Sequence, residues 1–128
     1  MWNDDLKVFV HSASFRYILA NVVHVASGVH FCLICIYGDP YHRQTGTIWN
    51  HVTNFVYDHL GKPMICMGNL NDIMYDADIC NGSVNYYRMS TFCSLIKNCG
   101  FFDIGYSGPA YTWRNRQHTA NPIYRRLD

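Results

Sequence analysis

The chain has 128 residues, 49% hydrophobic and 15% charged, with a formal net charge of +1. That is the composition of one globular domain, which excludes disordered, collagen-like and coiled-coil classes and allows about two-thirds of the unfolded surface to be buried. The near-neutral balance gives no whole-molecule field to attract nucleic acid, and all nine acidic residues are aspartate, so chemistry that needs a glutamate has none here.

Residues 6–10 and 15–25 are rich in β-forming side chains, with HSAS between them and Ser27-Gly28 after them, which predicts two or three antiparallel strands. From residue 29 to 37 the odd positions Val29, Phe31, Leu33, Cys35 and Tyr37 are apolar, as are Cys32, Ile34 and Ile36 between them. A strand apolar on both sides is a central one, and Gly38-Asp39-Pro40 ends it. Ile48, Val52, Phe55 and His59, widened by Trp49, Val56 and Leu60, predict a helix over 47–60 that Gly61 and Pro63 stop. Met64 to Met67 then reads as a buried strand running into Gly68-Asn69-Leu70-Asn71-Asp72. Polar groups at the C-terminal end of such a strand sit where α/β sheets place their chemistry.

A second helix is predicted over 90–99, with Ser90 as N-cap, Phe92, Leu95, Ile96 and Cys99 facing inward, and Gly100 as the stop. Short β-like pieces follow at 101–104, 110–113 and 123–127. The whole is a mixed α/β (α+β) arrangement in layers around a sheet.

Cys32 and Cys35 have CxxC spacing, but strand geometry turns positions i and i+3 to opposite faces, so they cannot share a metal. His51 and His59 lie two helical turns apart, about 12 Å, too far for one ion. His24 and His30 flank a turn as possible cross-strand neighbours, two imidazoles without a third ligand. Asp72, Asp76 and Asp78 share one loop; this permits a divalent cation beside phosphate oxygens and equally suits solvated turn acids. No metal ligand set is assigned. The six cysteines fall mostly in apolar runs, and the N-terminal run carries acids and no apolar core of a leader. Reduced, mostly buried thiols without disulfide partners in a nuclear or cytoplasmic protein are therefore expected. No apolar run is long enough to span a bilayer.

The motifs gain meaning in order. MWNDDLKVFV, a strand ending ICIYG, RQTGTIW opening a helix, PMICMGNLND, FCSLIKNCGFFDIGYSGPAYTWRN and RRLD together resemble the endonuclease/exonuclease/phosphatase superfamily, the DNase I-like group. The closest resemblance is to the endonuclease region of plant non-LTR (LINE-type) retrotransposons, with its "YG", "GDFN", "G.FTW.N" and "RLDR" elements. The resemblance implies a four-layer α/β/β/α sandwich and Mg²⁺-dependent cleavage of phosphodiester bonds in DNA. It implies that Tyr37 contacts the scissile phosphate, that Asn71 holds the phosphate or nucleophile, and that Asp128 orients a catalytic histidine.

Two departures accompany the match. Asn69 stands where the family has the Asp that orients or deprotonates water, and an amide cannot take a proton. The family's metal-binding Glu and its closing Ser-Asp-His have no counterpart in these residues. The expectation is thus one incomplete domain over 1–128, about half of the family domain, truncated at both ends and inactive by itself. The alternative is a non-catalytic remnant that binds nucleic acid through Arg114, Asn115, Arg116, Arg125 and Arg126 with Trp113 beside them.

Overall fold

Three apolar, β-branched runs form an antiparallel meander: β1 (Leu6–Ala13), β2 (Tyr17–His24) and β3 (Val29–Ile36). The computed structural model describes residues 4–116 and 120–128. It divides into two units, Met1–Leu70 and Asn71–Asp128.

In the first unit, β1 runs on through His11, Ser12 and Ala13, where the sequence predicts a turn. The strand absorbs them with a register shift between Val10 and Ser12, a bulge that lets one extra residue pass without losing the pairing. The turn falls at Ser14–Arg16 instead. There the Ser14 hydroxyl accepts from the backbone N–H groups of Arg16 and Tyr17, and Phe15 stands exposed at the tip. The register sets His24 opposite Val29 and His30 opposite Val23, so the two imidazoles are not a facing pair; His24 Nδ1 instead lies 2.6 Å from the Ser27 hydroxyl.

On β3 the side chains alternate between unequal faces, with Cys32, Ile34 and Ile36 buried and Phe31, Leu33 and Cys35 half-buried. Helix α1 (Thr45–Asp58) covers the more buried face: Tyr17 stacks on His51, and His11 lies 5.3 Å from the Phe55 ring. Its inward stripe is Ile48, Trp49, Val52, Phe55 and Val56, as the periodicity predicts. The helix ends at Asp58, two residues short of the prediction, so Leu60 is 68% exposed. The chain then returns as β4 (Met64–Met67), parallel to β3 with Cys32 opposite Met64 and Cys35 opposite Met67. The sheet order is β1-β2-β3-β4.

The second unit holds a 3₁₀ turn (Asp76–Asp78), β5 (Ile79–Cys80), helix α2 (Tyr86–Asn98), β6 (Trp113–Arg114) and β7 (Tyr124–Arg125). These three strands make an antiparallel sheet in the order β5-β7-β6. Helix α2 begins four residues before the predicted Ser90, because the Asn85 side chain caps it by accepting from the Arg88 N–H. The predicted strand at 101–104 is irregular. Gly100 turns the chain at φ 73°, Phe101 N–H closes on the Ile96 carbonyl, and Phe102 and Ile104 are exposed. The mixed α/β content predicted from sequence is present as two sheets and two helices. Among the described residues, no helix is long and apolar enough to cross a membrane.

The burial pattern separates two residues of the same predicted stripe. Phe55→Ala should destabilise the protein by about 3–5 kcal/mol, whereas Leu60→Ala should stay within about 0.5 kcal/mol of the parent. Urea unfolding of both variants checks this, and equal losses would contradict the burial of the stripe.

Candidate functional site

At the C-terminal ends of β3 and β4 the first unit brings two loops into backbone contact. Gly38 N–H donates to the Asn69 carbonyl at 2.8 Å. A Cβ on Gly38 would lie 2.0 Å from the Leu70 carbonyl oxygen, and one on Gly68, at φ 130°, would lie 2.0 Å from that of Ile36. Only glycine fits either position. This close approach sets Tyr37 and Asn69 on the rim of one open groove of about 460 Å³, with Phe15, Ile18 and Met67 as its apolar lining. Tyr37 is 49% exposed there.

Arg16 completes the rim. Its guanidinium carbon lies 5.1 Å from the centre of the Tyr37 ring, Nη1 donates to the Gly38 carbonyl at 3.4 Å, and Nη2 is 3.8 Å from Asp39 Oδ1. Asp39 is buried, 4% exposed, and its two oxygens accept from the N–H groups of Tyr41, Arg43 and Gln44 at 2.8–2.9 Å. Those bonds, the Tyr41 N–H foremost, hold its carboxyl below the usual range. They also tie down the approach to α1, whose N-cap Gln44 makes no side-chain cap. Burial pushes the Cys35 thiol up, so it remains protonated and a poor nucleophile.

The donors present do not suit Mg²⁺. The ion wants carboxylate oxygens in octahedral array; the groove lining holds no carboxylate, and Asp39, beside Arg16, already spends its oxygens on three N–H groups. In the second unit, Asp78 accepts from the Met74 and Tyr75 N–H groups and pairs with Arg126, while Asp72 pairs with Arg88. Among the described residues no three His, Cys, Asp or Glu side chains gather as a metal-holding group.

The remaining residues singled out in the sequence belong to the second unit. Asn71 takes a left-handed conformation, φ 55°. Asp128 is exposed, next to buried Leu127. Arg126 is held by Asp78, with Nε 3.3 Å from Oδ1, and by Asp103, and it also lies over the Tyr106 ring. Its charge is matched within the chain. Arg114 lies over Tyr124 and Arg125 over Trp113, pairs that the strand register makes directly opposite. Asn115 closes that ladder, its backbone N–H and side-chain oxygen both bonded to Ile123, and Arg116 is exposed.

Sequence reasoning missed Arg16, Asp39 and Arg88. For Asp39 a signal existed, since Gly-Asp-Pro after a strand invites an aspartate that bonds the backbone ahead of it. Arg16, inside a β-like run, offered none. Asp72 is half-buried, 3.4 Å from Arg88. Burial pushes its carboxyl up to about 6, against the opposing pull of Arg88 and Arg125.

The two aspartates should therefore titrate in opposite directions. Carboxyl NMR should place Asp72 near pH 6 and Asp39 below the usual value of about 3.9. The stabilisation from Asp39 is complete above about 3.9 and is lost as pH falls through its lower folded value. Asp72 acts in reverse, adding stability as pH drops from about 6 towards 3.9. Coincident midpoints would contradict both assignments.

Comparison of the chain with protein-family models and with curated proteins finds no match to either.

Proposed function

We propose that this chain binds a phosphodiester of nucleic acid in the groove of its first unit, as a non-hydrolysing relative of the Mg²⁺-dependent endonuclease domains of plant LINE-type retrotransposons. In this reading it corresponds to part of their α/β/β/α sandwich. The observation that carries the reading is the pairing of Tyr37 and Asn69 on one groove at the ends of two parallel strands, beside a guanidinium. A phenol O–H, an amide N–H and Arg16 are three donors for phosphate oxygens.

Hydrolysis asks for one thing more, a group that takes a proton from water. Asn69 has no basic atom, Tyr37 is a phenol, and Asp39 has its oxygens occupied. General-base assistance is worth about 10²–10⁴-fold, so a groove without it holds the diester and leaves it intact. Supercoiled plasmid incubated with the protein and Mg²⁺ should remain unnicked, and Asn69→Asp alone should not change that. Nicking above background that disappears in Asn71→Ala would overturn the reading. Binding of a labelled oligonucleotide, followed by anisotropy, should weaken at least several-fold in Tyr37→Ala.

A second reading has its own observation. Arg114 and Arg116 are exposed on and just after the β6 strand, next to Trp113, which is also exposed. Such residues favour phosphate contact with or without the groove. The salt dependence of DNA binding should then fall by about one unit of log–log slope for each of Arg114→Ala and Arg116→Ala. Arg126→Ala should instead destabilise the protein and leave the slope alone, because its partners are Asp78 and Asp103.

A further inference from the structure

The second unit gathers positive charge around Asp72. Arg88, in the first turn of α2, and Arg125, on β7, oppose one another electrostatically, and both act on Asp72. Nη2 of Arg88 lies a long 3.4 Å from Asp72 Oδ1. The Nε atoms of Arg88 and Arg125 are buried and have no hydrogen-bond partner among the described residues. Arg126, next in sequence, differs in having two carboxylates for one guanidinium. Two cations that share one carboxylate, with unspent donors, form the complement of an added oxyanion.

The shape agrees with the charge. Arg125 lays its guanidinium over the Trp113 ring, 5.5 Å from its centre; stacking uses the flat face and leaves the donor-bearing edge for a ligand. The Arg88 side chain is 37% exposed, so solvent reaches that arginine.

We infer that Arg88 and Arg125 form a phosphate-binding site in the second unit, with Asp72 as the internal counter-ion that the phosphate displaces. The ligand is a phosphate group, free or in a nucleic-acid backbone. The site uses no residue of the groove and does not rest on the function proposed for it.

Calorimetric titration of the full chain with inorganic phosphate at low salt tests this. Arg88→Gln and Arg125→Gln should each weaken binding at least tenfold, and Asp72→Asn should tighten it several-fold by removing the competing carboxylate. Lys97→Gln, at the far end of α2, should leave the affinity unchanged. The Asp72→Asn arm guards against misfolding, since a damaged unit cannot gain affinity. Phosphate binding unaffected by both arginine variants, or weakened by Asp72→Asn, overturns the site. A single-stranded oligonucleotide without terminal phosphates separates the sources. Competition with inorganic phosphate that is lost in Arg88→Gln identifies a backbone diester, and no competition identifies a free or terminal phosphate.

Discussion

The geometry of the first unit depends on one close backbone approach, that of the loop leaving β3 to the loop leaving β4. Two glycines permit it, each where a methyl group would collide with a backbone carbonyl oxygen, of Leu70 for Gly38 and of Ile36 at the end of β3 for Gly68. Because the contact is main chain to main chain, it fixes the residues beside the glycines whatever their side chains are. Tyr37 and Asn69 inherit their positions from it. The groove is therefore a product of backbone packing at the ends of a parallel strand pair, the place where α/β sheets present their reactive groups.

The aspartates divide by role. Asp39 and Asp78 are spent on backbone N–H groups and a neighbouring arginine, and they organise loops. Asp72 sits beside two arginines and still gains too little to offset its burial. A carboxylate used to hold the backbone is a poor base and a poor cation ligand, because its lone pairs are already committed. Asp39 and Asp78 thus serve the fold of their own loops.

Much of the frame was legible in the sequence because it is periodic. The doubled apolar pattern of residues 29–37 and the helical stripe through Ile48, Val52 and Phe55 follow from burial; the strand over Met64–Met67 is present, but Ile65 and Met67 are exposed, so it is not the buried strand that its apolar run predicts. The misses share a cause: they are decided by single polar side chains that periodicity cannot register. Ser14 moves a turn from HSAS to the following residues, and Asn85 starts a helix four residues early. At 101–104 an apolar run stays irregular because the Gly100 turn bonds Phe101 back to α2. In the site, Tyr37 and Asn69 were legible from motif order. Arg16 was not, since its role exists only once β2 lies beside β3 and brings it under the Tyr37 ring.

The Arg126 knot gives the second unit a distinct character. One guanidinium joins the 3₁₀ turn, through Asp78, to the loop that carries Asp103, while the apolar residues buried in this unit are Phe92, Ile96 and Leu127. Cohesion between those loops thus comes from ionised oxygens more than from oil. Loss of that one guanidinium would cut both tethers at once. The loops would then loosen together as a cooperative patch, while the apolar stripe of α1 in the first unit, which carries no such charge, kept its packing.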